Sequence, residues 1–303
     1  MITRRTFLRG IGVAVGSGIG LAGYAFGIEP LYRLSVTTYR VTPRNWPSGL
    51  RVKLAIVADL HAHRYSMPIA RIEEIVTATN GVDADAILLL GDYMSGKYWR
   101  SPRLAAEDWA PILGQLRAPL GVHAVLGNHD WWEEADAQRL RRGPVPSQLQ
   151  LEKAGIPVYQ NEVVRLTKDG QPFWLAGLAD QIAFITGIVA GRMVFQGLDD
   201  LPGTLAKITD DAPVILMAHE PDIFPKVPDR VALTLSGHTH GGQVRLFGWS
   251  PIVPSEFGNR YAYGHVTEDK RHLIVSGGLG CSILPLRFGV PPEIVVVELG
   301  ADA

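Results

Sequence analysis

Val52-Lys53-Leu54-Ala55-Ile56-Val57-Ala58-Asp59-Leu60-His61 passes from a nearly unbroken apolar, β-branched run straight into a carboxylate and an imidazole. The first seven residues read as a strand buried on both faces, and Asp59 marks its end. The same pattern returns down the chain. Ala86–Leu90 leads into Gly91-Asp92, Val122–Leu126 into Gly127-Asn128-His129-Asp130, Val214–Ala218 into His219, and Ala232–Ser236 into Gly237-His238-Thr239-His240. A helix is expected over roughly 67–79, where Ile69, Ile72, Ile75 and Val76 form one stripe. Further strands are expected at Phe173–Leu178, Leu273–Ser276 and Ile294–Leu299, with short ones at Gln243–Leu246 and Tyr261–Thr267. Strand and helix alternate early, and strands dominate later. That predicts an α/β fold of two packed mixed β-sheets flanked by helices, not one doubly wound sheet. Ligands of open α/β sheets gather beyond the carboxyl ends of strands. All these polar side chains fall at such ends, so one shared site is expected.

Asp59, His61, Asp92, Asn128, His219, His238 and His240 supply two carboxylates, four imidazoles and one amide. This inventory suits two divalent cations sharing a carboxylate, an arrangement that clamps a phosphoryl group during hydrolysis. Two such cations with two carboxylates leave a net charge of about +2, and a bridging hydroxide leaves about +1, still attractive to a phosphate anion. No thiolate belongs to the set, so Mn, Fe or Zn fits better than Cu(I). Each residue alone is unremarkable, since an Asp after a strand is an ordinary turn former. Together, five of the nine histidines fall in these segments. His123, His265 and His272 read as surface or core residues, and His63 is close enough to His61 to turn toward the site.

These segments resemble the calcineurin-like metallophosphoesterase family, and the match covers most of residues 51–299. The resemblance implies a four-layer αββα sandwich. By it, Asp59, His61 and His240 hold one metal, Asn128, His219 and His238 hold the other, and Asp92 bridges them. His129 resembles the family's non-ligand catalytic histidine, with Asp130 behind it as the orienting carboxylate. The implied reaction is hydrolysis of a phosphate ester by a metal-bridging hydroxide, as a phosphodiesterase or pyrophosphohydrolase. Gly237–Gln243, Pro285-Leu286-Arg287 and Pro291-Pro292-Glu293 are similar to an envelope-associated branch that includes twin-arginine-exported members and relatives acting on acylated UDP-sugars. That implies a lipid-linked or cell-envelope substrate. Tyr93, Met94, Tyr98, Trp99, Trp131 and Trp132, with the apolar segment 182–195, are candidates either to grip it or to pack under loops. The segment 182–195 reads as a lid or membrane-facing edge. A metal-containing envelope- or cell-wall-binding protein with little catalysis is the alternative. Structural metal sites are usually closed by protein, however, and seven ligands for two cations leave positions open.

Before the first strand, Thr3-Arg4-Arg5-Thr6-Phe7-Leu8-Arg9 precedes an uncharged segment with glycines at 10, 12, 16, 18, 20, 23 and 27. It reads as a secretory address and resembles a twin-arginine signal, with the twin-arginine export machinery as partner. The glycines make it a weak membrane span, although an anchor is the competing reading. The expected division is residues 1–29 as signal or membrane anchor, 30–50 as a polar connector with three prolines, and 51–303 as the catalytic domain. Localisation is then the outer face of the cytoplasmic membrane, the periplasm or the cell wall. A net charge of −1 and the lack of a Lys/Arg stripe give no sign of a nucleic-acid partner. The single Cys281 excludes an intramolecular disulfide and reads as a small buried residue.

Overall fold

The computed structural model describes residues 3–96 and 103–300. Tyr98 and Trp99, two of the aromatic residues expected near the site, lie outside the described residues.

β2 (Val52–Val57) shows why its run is apolar on both sides. Leu54 and Ile56 join the core between the two sheets, while Ala55 and Val57 pack under helices on the outer face, as a period of two requires. β3 (Ala86–Leu89) repeats this division, with Leu88 inside and Ile87 and Leu89 outside. The first sheet has the order β1-β13-β2-β3-β4, with β1 at Ser35–Val41, β4 at Val122–Ala124 and β13 at Glu293–Leu299. β2, β3 and β4 are parallel, whereas β13 runs antiparallel to β2 and parallel to β1.

The second sheet has the order β11-β12-β10-β9-β6-β5. Its strands are β5 (Glu162–Lys168), β6 (Gln171–Gly177), β9 (Val214–Met217), β10 (Val231–Ser236), β11 (Gly264–Glu268) and β12 (Arg271–Val275). Ile215 and Met217 of β9 face the first sheet, and Val214 and Leu216 face outward. Helices α3 (Ile69–Asn80), α4 (Ala106–Leu113) and α7 (Pro146–Lys153) cover the first sheet with Ile72, Ile75, Trp109 and Leu151. α8 (Leu201–Ala206) and a 3₁₀ turn at Pro221–Lys226 cover the second with Leu201, Ile223 and Phe224. The result is the expected two mixed sheets between helical layers.

Several expectations need correction. Residues 30–50, read as a connector, carry β1, which aligns with β13 from Ser35↔Glu293 to Val41↔Leu299. Its polar, alternating face is that of an edge strand, and its partner lies at the far end of the chain. Gln243–Leu246 forms no strand, only single bridges from Val244 to Phe288 and from Leu246 to Trp249. β5 was not anticipated, although Asp169 (φ 50°) and Gly170 (φ 77°) between β5 and β6 make the left-handed pair of a two-residue hairpin turn. The apolar segment 182–195 folds as a separate hairpin of β7 (Phe184–Val189) and β8 (Arg192–Gln196), with Ile188, Val189 and Met193 exposed.

The amino-terminal segment is helical as α1 (Arg4–Gly23), a π-helical turn (Tyr24–Ile28) and the short α2 (Glu29–Tyr32). Among the described residues no helix is long and apolar enough to cross a membrane. The end of this segment is built into the body. Glu29 is buried and accepts a hydrogen bond from the Val290 N–H (2.8 Å), and the Ala25 carbonyl accepts one from Arg287 N–H (3.0 Å).

Candidate metal centre

Each polar side chain reaches the centre because its strand stops and its backbone turns sharply. Asp59, His61, Asp92, His238 and His240 have φ of 55°, 45°, 56°, 69° and 52°. This left-handed region is uncommon for residues with a side chain, though Asp and His tolerate it better than most. Loops from β2, β3, β4, β9 and β10 converge here, and α5 (Asn128–Trp132) starts at the site, followed by α6 (Ala135–Leu140). Crowding explains Gly127, since a Cβ there would lie 2.4 Å from Asp92 Oδ1 and 2.6 Å from His219 Cε1.

Among the described residues the side chains form two donor groups that could each hold a metal ion, Asp59–His61–His240 and Asp92–His219–His238, and a third, His61–Asp92–His129, overlaps both. Asp92 Oδ2 joins them, lying 3.5 Å from His61 Nε2 and 3.3 Å from His219 Nε2. Asn128 Oδ1 stands 2.8 Å from His238 Nδ1, completing the second group. All seven residues predicted as ligands are thus brought together, and six of them are buried to within 2% of full burial, while His238 is half-buried.

Hydrogen bonding shows what these donors are prepared for. His61 Nδ1 donates to the Met94 carbonyl (3.0 Å), and His219 Nδ1 donates to that of Leu90 (2.6 Å). Each ring therefore commits one nitrogen to the backbone and turns the other inward, which is how metal-binding imidazoles are oriented. His219 Nε2 and Asp59 Oδ2 are buried with no hydrogen-bond partner, an arrangement that costs free energy unless a cation satisfies it. Burial pulls His61 and His238 down to about 3 and holds His240 well below the usual imidazole range, so these rings favour the neutral form that ligates metals. Burial opposes ionisation of Asp92, but His219, His129 and His61 outweigh it and hold its carboxyl well below the usual range. Burial, reinforced by Asp92, pushes Asp59 up to about 7 against the pull of His219. The donor set fits divalent cations.

His129 stands beside the ligands, its ring centroid 4.9 Å from that of His61. Its Nδ1 lies 3.5 Å from Glu133 Oε1. Burial works against its charged form, but Asp92 and then Glu133 outweigh it, and the net shift is upward. Asp130 does not orient this ring through a bond. Its Oδ2 accepts from the N–H groups of Asp92 and Gly127 (3.0 Å each), and its Oδ1 accepts from Met94 N–H (3.2 Å) and Ser147 Oγ (2.9 Å). Asp130 is a clamp between two ligand loops, and Glu133, one helical turn after His129, is the carboxylate beside the imidazole.

Other residues settle into quieter roles. His63 turns away, its Nδ1 accepting from Tyr65 N–H at 3.3 Å. His123 bonds Tyr159 and the Leu120 carbonyl, and His265 pairs with His272. Tyr93, Met94 and Trp131 belong to the core beneath the site. Trp132 stands near His129 and stacks on Phe195 of β8 at 5.1 Å and 8°. Arg287 was missed as a supporting residue. Fully buried, it bonds the carbonyls of Gly277, Gly280 and Val290, and its Nη2 lies 3.3 Å from His240 Nδ1. The glycine run Gly277-Gly278-Leu279-Gly280 was its signal, for Gly280 N–H bonds the Asp59 carbonyl and a Cβ on Gly278 would strike Asp59 at 2.7 Å.

Residues 52–242 match the sequence model of the family described as calcineurin-like phosphoesterase. The chain is 31% identical over 305 residues to the uncharacterized metallophosphoesterase YkuE of Bacillus subtilis, covering 98% of both chains. It is 30% identical over 268 residues to an uncharacterized metallophosphoesterase of Aquifex aeolicus, covering 88% of this chain and 92% of that one. It is 29% identical over 308 residues to the phosphodiesterase YaeI of Escherichia coli, covering 99% and 100%.

Proposed function

The chain belongs to the calcineurin-like phosphoesterase family, and on that premise we propose that it is an exported phosphodiesterase or pyrophosphohydrolase, dependent on two divalent metal ions, that acts on a lipid-linked or cell-envelope phosphate ester. That it is a metal-dependent phosphoric ester hydrolase follows from the family; the number of ions, the export and the substrate are our reading. The observation that carries it is the pair of donor groups joined through Asp92, with unpartnered His219 Nε2 and Asp59 Oδ2 between them.

Asp59, His61 and His240 would hold one ion, and Asn128, His219 and His238 the other, with Asp92 shared. Bound there, Mn, Fe or Zn ions supply positive charge for the phosphoryl oxygens and lower the pKa of a coordinated water. The protein contributes a preorganised, water-poor cradle. His129 stands at its edge with one nitrogen toward Glu133. Its other nitrogen serves the phosphoryl oxygens as a donor and protonates the departing alkoxide. Asp130 holds the Asp92 and Asn128 loops in register.

The test is release of p-nitrophenol from the bis-ester and mono-ester of phosphate by Mn²⁺-loaded protein, before and after chelation. Bis-ester cleavage that vanishes on chelation and returns with metal is the expected result. Cleavage of neither ester by metal-replete protein would favour an envelope-binding role. Export rests on the resemblance of Arg4-Arg5 and the following apolar segment to a twin-arginine signal. Replacing both arginines by lysine should leave the protein inside the cell, and undiminished export would remove that part of the proposal.

A further inference from the structure

Beside the metal centre lies a cavity of about 480 Å³, within the size range of small-molecule sites. Its hydrocarbon wall comes from two distant parts of the chain, Phe26 and Leu31 on one side and Ile283, Leu284 and Pro285 on the other. The rest of the lining is His63, Tyr65, Ser66, Ser95, Cys281 and Ser282, two of which continue loops that support the centre. Ser95 follows Met94, whose carbonyl holds His61, and Cys281 follows Gly280, whose N–H bonds the Asp59 carbonyl at 2.7 Å. The His63 nitrogen that faces its own loop is occupied by Tyr65 N–H. The cavity therefore offers apolar surface from residues 26–31 and 283–285, and through Ser95 and Cys281 it is one residue removed from the groups bonded to His61 and Asp59.

The two apolar walls are fixed to one another. Arg287 N–H bonds the Ala25 carbonyl, Val290 N–H bonds Glu29 Oε1, and Tyr24 packs edge-on against Phe288 at 6.1 Å. The loop that carries Arg287 to His240 thus also seats Phe26 and Leu31 over the cavity. At the mouth, Phe26 and Ile283 are 45% and 65% exposed, and upstream α1 presents Val15, Ile19 and Leu21 to the surroundings. Exposed apolar surface running into an apolar cavity is a path for hydrocarbon.

We propose that this cavity receives the alkyl or acyl tail of a phosphoester whose phosphate lies at the Asp59–Asp92–His219 centre. The proposal rests on the phosphoesterase reading above and adds the part of the substrate that gives selectivity. A tail is chosen over a sugar or base because Phe26, Leu31, Ile283, Leu284 and Pro285 carry no hydrogen-bonding side chain, and a polar ligand buried against them would lose its bonds to water.

Two measurements separate this proposal from the reading beneath it. Metal-loaded full-length protein is titrated by calorimetry with n-alkyl phosphonates from methyl to decyl, below their micellar concentrations. Turnover is followed in parallel on p-nitrophenyl alkyl phosphodiesters of the same lengths. Kd and KM should fall about fourfold for each methylene added until the cavity is filled. Leu31→Asp and Ile283→Asp should flatten both series while leaving turnover of the methyl ester unchanged. Ile283 is 65% exposed, so its variant folds even where Leu31→Asp does not. Affinity independent of chain length, or a length dependence that survives both variants, overturns the assignment. Length-dependent phosphonate binding without turnover of any ester upholds the tail site and removes the phosphoesterase reading instead.

Discussion

Two neighbouring residues at the start of α5, His129 and Asp130, show how adjacent side chains divide labour. Asp130 accepts four hydrogen bonds, three of them from backbone N–H groups, so its loss leaves buried donors unsatisfied. Asp130→Ala should destabilise the fold by about 2–4 kcal/mol, measured by urea unfolding, and not merely slow the reaction. His129 has its own carboxylate in Glu133. His129→Asn should lower kcat by about 10²–10⁴ with metal content retained, and Glu133→Gln by about tenfold. Metal analysis beside the kinetics decides the matter, since loss of metal from His129→Asn would make this residue a ligand. The sequence placed both residues at the site, because Gly-Asn-His-Asp ends a strand. It could not apportion their roles. Asp130 is next to His129 in sequence, yet helical geometry puts Glu133, not Asp130, beside the ring.

At the scale of elements, the strand-to-ligand junctions were legible because their chemistry breaks abruptly. A doubly buried strand is continuous hydrocarbon, and the first polar residue after it announces the sheet's edge. Close packing at these junctions was only partly visible. Gly127→Ala would drive a methyl group into Asp92 and His219. It should cost about 1–3 kcal/mol and weaken metal retention, checked by unfolding and by metal content after dialysis. β1 escaped notice for the opposite reason. It is half-exposed, bracketed by Pro30, Pro43 and Pro47, and has no nearby strand to pair with. The β5–β6 hairpin had a readable Asp169-Gly170 turn between two alternating runs, and that signal was overlooked.

For the whole molecule, the metal-donor groups are formed only when loops from both halves of the chain meet, so binding energy is folding energy. Donors left unsatisfied without cations should make chelated protein the less stable form. At metal concentrations about 100-fold above Kd the stabilisation is ~2.7 kcal/mol, a rise in Tm on the order of 5 °C, read by calorimetry with and without chelator. An unchanged Tm would mean that the donor groups bind no ion in solution. The layered architecture was predictable from the changing mix of strands and helices. The union of the amino-terminal segment with the Arg287 loop was not, because contacts between residues 25–29 and 287–290 leave no periodic trace in either stretch.

The placement of β13 between β1 and β2 has a consequence for biosynthesis. Ser35 waits for Glu293, and Val52 for Leu299, so a nascent chain holds an open gap in its first sheet until residues 293–299 have left the ribosome. Emergence of β13, not of any early half, is the moment when this first sheet can close.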